Sequence, residues 1–237
     1  QFIEENKDRP FFLYLSHYAV HAPLQAKKNL VAKYRNKKPW HQQGNPVYAA
    51  MIESVDQSVG RVVAKLEELG LTENTIIFFT SDNGGVGYQR TDLKYRGWTD
   101  NYPLRGGKGQ FYEGGIRVPT IVRWPGKIKP GVVSDQPWAF WDFLPTACEL
   151  AGVEPPRGID GISIVPTLLG GKQRQHDYFY WEFHERGYHQ AVRMGNWKAV
   201  RHGTREPLEL YDLKTDIGEK RNVADEHRDI VARIESY

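Results

Sequence analysis

The stretch that decides the fold is IIFFTSDNGG, residues 76 to 85. Ile76 to Thr80 are apolar or β-branched and carry no charge, which suits a strand buried on both faces. Ser81, Asp82, Asn83, Gly84 and Gly85 follow at once, so the strand ends in two neighbouring oxygen donors and two glycines. Upstream, Val47, Ala50, Met51, Val55, Val59, Val62, Val63 and Leu66 recur at helical spacing between Pro46 and a stop at Gly70. Helix, short LTENT connector and uncharged strand in this order predict an α/β domain, a mostly parallel sheet flanked by helices. Ligands of such sheets gather beyond the carboxyl ends of the strands, where Asp82 and Asn83 fall. A carboxylate and an amide oxygen suit Ca²⁺ or Mg²⁺ better than Zn²⁺. Out of context the same letters also make an ordinary turn, since Asp, Asn and Gly are the commonest turn residues. The glycines are expected to let the backbone turn sharply.

Working outward, FFLYL at 11–15 reads as another strand buried on both faces. The loop SHYAVHAPLQ after it carries His17 and His21. A histidine there protonates a leaving oxygen or, as a cation, binds an anion. Lys27, Lys28, Lys33, Arg35, Lys37 and Lys38 follow without an acid, as a solvated face or a groove for a polyanion. From Val86 to Gln110 the chain is aromatic and glycine-rich without a clear period, and long loops of this kind are functional or disordered. Within PLRGGKGQFYEGGIRVP, 103–119, Lys108 stands between glycines, so backbone approaches whatever its ammonium contacts. It fails as a phosphate loop, because the G-x-x-x-x-G-K-[ST] spacing is absent. VPTIVRWPG (118–126) reads as a strand and WDFLPTACELAGV (141–153) as a helix. Beyond about residue 172 the texture changes: DYFYWEFH, AVRMGNWKAVRH and LELYDL are short β-type runs, Gly195-Asn196 is a hairpin turn, and 224–237 is a final polar helix. The expected domains are 1–172, the α/β part, and 173–237, a small antiparallel sheet plus helix.

The 237 residues are 40% hydrophobic and 26% charged, ordinary for a globular protein. A net charge of +3 is too small to argue for nucleic acid. No apolar run approaches the roughly 20 residues of a membrane helix, so no membrane partner is expected. The single Cys148, in FLPTACELAG, excludes an internal disulfide and reads as a small helix residue. The opening QFIEENKDRPFFLYLS reads as a helix tail, a turn and a strand, and an N-terminal portion is expected to be missing.

Four stretches, in one order, carry a family likeness: PFFLYLSHYAVHAPL; the long helix running into TIIFFTSDNGG; LRGGKGQFYEGGIRVPTIVRWPGKI; and LELYDLKTDIGEKRNVAD. On these the chain resembles the type I sulfatases (arylsulfatase-like) of the alkaline-phosphatase-like superfamily, over nearly its whole length. The resemblance implies an alkaline-phosphatase-like fold without its N-terminal strands. It also implies sulfate-ester hydrolysis by a formylglycine nucleophile and calcium. Asp82 and Asn83 would be two of the Ca²⁺ ligands, Lys108 the sulfate contact, and His21, just before Ala22-Pro23, the group at the leaving oxygen. Arg105, with Trp98 and Tyr102, and His184 in YWEFHERGYHQ are the expected substrate contacts. Two-zinc phosphatases and phosphodiesterases of the superfamily carry His where this chain has Asn83, and an amide oxygen is a poor zinc ligand, which favours calcium and sulfate.

The resemblance breaks at the nucleophile. No Cys/Ser-x-Pro-x-Arg run occurs, Cys148 being followed by Glu149, Leu150 and Ala151, and the early Asp-Asp pair is absent too. The chain is therefore expected to be the C-terminal portion of such an enzyme, inactive alone and weak in calcium binding. Its expected partners are a sulfated small molecule or glycan and the missing N-terminal segment. Two alternatives stay open: a metal-dependent phosphatase or phosphodiesterase, and a non-catalytic fragment that binds sulfated glycans. A periplasmic or secreted location is expected over a cytoplasmic one.

Overall fold

The computed structural model describes residues 1–41, 43–87, 99–185 and 187–237, and the chain divides into two units. The first is Gln1–Thr120 with Ile217–Lys220, the second Ile121–Asp216 with Arg221–Tyr237. The residue-172 boundary expected from sequence texture lies inside the second unit.

In the first unit, α1 (Phe2–Asn6) and α2 (Lys28–Tyr34) precede the long α3 (Pro46–Glu68). Asn45 caps α3: its side-chain oxygen accepts the Val47 and Tyr48 amides at 3.0 and 3.1 Å, while Pro46 fits the first turn, where no amide hydrogen is needed. Gly70, at φ +69, reverses the chain at the other end, and the Leu71 amide closes on the Leu66 carbonyl at 2.8 Å. The apolar stripe buries Ala50, Met51 and Leu66, and α2 lies along the same helix with Lys33 paired to Glu53 at 2.9 Å. The strand β1 (Ile77–Thr80) follows, half-buried along its length rather than buried on both faces. The one-turn α4 is Glu113–Ile116. The strand β2 (Thr120–Arg123) begins where the unit ends, with the Thr120 hydroxyl 3.4 Å from that of Thr80.

The FFLYL stretch is not a strand. Residues 11–18 are irregular, with Phe12 68% and Tyr14 78% exposed. A β-type sequence becomes a strand only when a neighbour takes its backbone hydrogen bonds, and among the described residues none pairs with this one.

In the second unit a 3-10 turn, Phe140–Asp142, leads into α5 (Phe143–Ala151), which Gly152 ends at φ +68. Buried Asp142 ties this corner together. Its carboxylate accepts the Ala139 and Ile162 amides, each at 2.8 Å, and lies 2.8 Å from Nε2 of His176. The short α6 is Val165–Leu168. Then β3 (Phe179–Phe183), β4 (His189–Met194), β5 (Trp197–His202) and β6 (Glu209–Asp212) form an antiparallel sheet in chain order. Gly195, at φ +59, makes the tight β4–β5 turn. The last helix, α7 (Arg228–Glu235), lays Ile230, Val231 and Ile234 on Val192, Met194, Ala199 and Leu210. It starts later than 224 because Asn222 turns the chain there, its side-chain oxygen accepting the amides of Leu210 and Ala224. No described helix is long and apolar enough to cross a membrane.

Candidate functional site

Two glycine-rich segments of the first unit lock together behind β1. The Gly84 amide donates to the Gly115 carbonyl at 2.9 Å, and the Lys108 amide to the Gly85 carbonyl at 2.8 Å. A Cβ on Gly84 would stand 1.8 Å from the Gly114 carbonyl oxygen, and one on Gly107 would stand 2.5 Å from that of Gly85. The glycines after Asn83 are thus required for backbone-on-backbone contact. The sharp turn expected of them is not their role, since neither Gly84 nor Gly85 has a positive φ. Asn101 holds the same knot, its amide nitrogen within 3.0 Å of the Gly85, Gly106 and Gly114 carbonyls.

This lock brings the loop that carries Lys108 against the turn that carries Asp82 and Asn83. The Ser81 hydroxyl donates to the Asn83 carbonyl at 2.9 Å, and the Asn83 amide nitrogen to the Gly84 carbonyl at 3.0 Å. With its nitrogen so engaged, Asn83 keeps its side-chain oxygen for another donor or a cation. Asp82 is exposed and Lys108 half-buried, and among the described residues neither charged group has a hydrogen-bond or ion-pair partner. An oxygen pair of this kind fits a hard cation and supplies only part of the six to eight oxygens that Ca²⁺ takes. No group of three or more described His, Cys, Asp or Glu side chains is placed to hold a metal.

His21 sits on the loop after residues 11–18. Its Nδ1 is 2.9 Å from the Ala22 carbonyl oxygen, and Tyr18 closes the loop by donating to that same oxygen. A carbonyl only accepts, so the hydrogen sits on Nδ1 and Nε2 is the open ring position. No hydrogen bond or ion pair among the described residues joins His21 to Asp82, Asn83 or Lys108.

Arg105 is already engaged. Its guanidinium lies 3.8 Å over the Tyr112 ring and donates to the Glu219 carbonyl at 3.0 Å, while buried Glu219 accepts the Glu113 amide at 2.6 Å. The sequence reading missed this Arg105–Glu219–Glu113 tie and the Asn101 hub, because each joins residues distant in the chain. Trp98 lies outside the described residues, as does the rest of 88–98. His184, in the second unit, is exposed, its Nε2 3.7 Å from a Glu182 oxygen and its ring against Tyr188. Hydrogen bonds from Tyr180 and then Tyr188 hold the Glu182 carboxyl below its ordinary value, and the Glu182 bond in turn pushes the Tyr188 phenol up.

The sulfatase family model matches residues 1–153, and the model for the C-terminal region of N-sulphoglucosamine sulphohydrolase matches 107–236. Mouse steryl-sulfatase is 34% identical over 99% of this chain and 42% of its own length. A sulfatase of Formosa agariphila is 37% identical over 93% of this chain and 43% of its own. The chain thus spans less than half the length of these relatives. The solved structure of Ps i-CgsB in complex with k-i-k-neocarrahexaose superposes with a TM-score of 0.84 at 34% identity, covering 99% of this chain and 52% of that one.

Proposed function

The chain belongs to the sulfatase family, and from that premise we propose that it carries the cation- and sulfate-gripping part of a sulfuric ester hydrolase. The observation that carries this reading is the glycine lock: it sets an ammonium, a carboxylate and an amide oxygen on two packed backbones, with the charged groups unpaired among the described residues. Asp82 and the Asn83 side-chain oxygen would hold Ca²⁺, which when bound offsets the charge of a sulfate group. Lys108 is long enough to reach an anion beside that ion and pair with it directly. His21, bare at Nε2, takes a proton there and, as the cation, is able to give it to a departing alcohol oxygen. Asn83 argues for calcium against the zinc of the related phosphatases.

A sulfated glycan or small sulfated molecule is the proposed substrate class, supported by the neocarrahexaose in the Ps i-CgsB complex. Arg105 enters as a substrate contact only through what its engaged guanidinium leaves exposed, and His184 as a contact made by the second unit on its own. The nucleophile, a formylglycine in the proposed mechanism, has no counterpart in these 237 residues.

Calorimetry on the 237-residue chain tests the reading. Calcium binding is expected to be weaker than about 10⁻⁴ M, with two protein ligands on a cation that wants six to eight, and Asp82→Ala is expected to abolish it. Inorganic sulfate is expected to bind in a calcium-strengthened manner that Lys108→Ala removes. Zinc preferred over calcium, or sulfate binding indifferent to both variants, would overturn the proposal.

A further inference from the structure

A described cavity lies apart from the Asp82–Lys108 site. It lies in the first unit, has a volume of about 500 Å³, and is lined by His41, Asp100, Tyr102, Arg105, Glu219 and Lys220 among others, while Asp82, Asn83 and Lys108 take no part. That volume is within the usual range for small-molecule sites.

Its rim is aromatic and exposed. The Tyr102 ring stacks on His41 with centroids 3.8 Å apart and planes at 23°, and Trp40 leans on His41 at 4.7 Å. Trp40 is 60% exposed and Tyr102 50%, so large ring surfaces face solvent beside the opening. Polar groups stand next to them. Asp100 lies 3.8 Å from Nδ1 of His41 and accepts the Tyr102 amide at 3.0 Å, while Gln43 donates to the Asp100 carbonyl at 2.6 Å.

Backbone strain is stored here as well. The two described non-glycine residues with positive φ are His41 (+49) and Glu219 (+50), and both line this cavity. Such conformations are strained and collect at ligand clamps. Nothing in the Asp82–Lys108 lock requires the turn at His41.

The lining charges decide what kind of ligand fits. Asp100 and Glu219 offset Arg105 and Lys220, so the cavity offers no net attraction to an anion. A flat aromatic rim with hydrogen-bonding groups beside it suits a ligand with one apolar face and polar edges. The sugar ring has that shape: its C–H face stacks on an aromatic plane, and its hydroxyls reach a carboxylate or an imidazole. We propose that this cavity is an auxiliary carbohydrate site, which takes an uncharged pyranose unit of a glycan against Tyr102 and Trp40. The site shares Tyr102 and Arg105 with the expected substrate contacts but none of Asp82, Asn83, Lys108 or His21, so it would stand if the sulfate reading failed.

The test is titration of the 237-residue chain with four neutral hexasaccharides, cellohexaose, mannohexaose, chitohexaose and neoagarohexaose, followed by calorimetry and tryptophan fluorescence. Saturable binding of at least one is expected, weakened about tenfold (about 1.4 kcal/mol) by Tyr102→Ala and retained by Tyr102→Phe, which keeps the ring. Lys108→Ala is expected to leave it unchanged, which separates this site from the proposed sulfate site. Three outcomes would overturn the assignment: no saturable binding of any of the four, equal binding by Tyr102→Ala, or loss of binding in Lys108→Ala. A fourth is p-nitrophenol, a flat ring without sugar hydroxyls, binding more tightly than every sugar with the same Tyr102 dependence.

Discussion

Gly84 and Gly60 show how differently one residue type is used. Gly84 meets the Gly114 carbonyl at its would-be Cβ, and backbone cannot step aside as a side chain can. Gly84→Ala is therefore expected to cost about 3 kcal/mol or more, at the upper end of overpacking penalties, and to part the Lys108 loop from Asp82. Gly60 sits in α3 with nothing within 4 Å of its would-be Cβ, so Gly60→Ala is expected to stabilise by about 0.5–1 kcal/mol. Urea denaturation of the two variants checks both signs. Asp82 and Asn83 stood out as a candidate pair because an uncharged run ends abruptly in oxygen donors. The reason for the glycines beside them was not legible, because a close approach between residues about thirty apart leaves no local mark. Lys108 stood out by its glycine neighbours, whereas Asn101, which holds three carbonyls of the same knot, looked like any loop amide. At this scale the proposed chemistry makes its sharpest claim. In a polypeptide that joins these residues to a nucleophile segment, Lys108→Ala is expected to lower kcat on an aryl sulfate about 10²–10³-fold, as does removal of one preorganised charge partner. An unchanged kcat would remove Lys108 from the site.

Elements held by their own sequence were the easiest to read. The α3 helix has its stripe, its proline start and its glycine stop within one stretch, and the β4–β5 hairpin has its Gly-Asn turn. The 11–15 segment has strand composition and no strand, because pairing is supplied by a neighbour and not by composition. The Asp142 corner is the opposite case. Its buried carboxylate satisfies amides at residues 139 and 162 and meets His176, three partners scattered between residues 139 and 176, and no motif announces it. Asp142→Ala would leave those part-buried donors unmet, at about 1–3 kcal/mol for each amide, so a drop in melting temperature is expected for the second unit. Glu182 gives the sheet a milder acid response. Its folded value lies below the ordinary 4.5 because the Tyr180 and Tyr188 hydroxyls favour the carboxylate, so its contribution is complete above about 4.5 and fades as pH falls through the lowered folded value. Glu182→Gln is expected to flatten that part of the stability–pH curve, as read by denaturant midpoints at successive pH values.

The two units are built on different principles, and the difference bears on the whole molecule's behaviour in solution. The second has a conventional core in which Leu210 is fully buried between sheet and α7. The first spends its close packing on the glycine lock and leaves Phe12, Tyr14, Leu15 and Tyr18 exposed in one irregular run beside the His21 loop. Exposed apolar residues gathered in one run invite association. The chain is therefore expected to self-associate with rising concentration in sedimentation velocity, and a Phe12→Lys, Tyr14→Lys double variant to shift it toward monomer at unchanged far-UV circular dichroism. Leu210→Ala should act through the other unit, lowering the denaturation midpoint by about 2–5 kcal/mol without altering the association. If the lysine variant associates as strongly as the parent chain, the 11–18 run is not the adhesive surface. The open face would then have to be sought on β1, whose residues are half-buried.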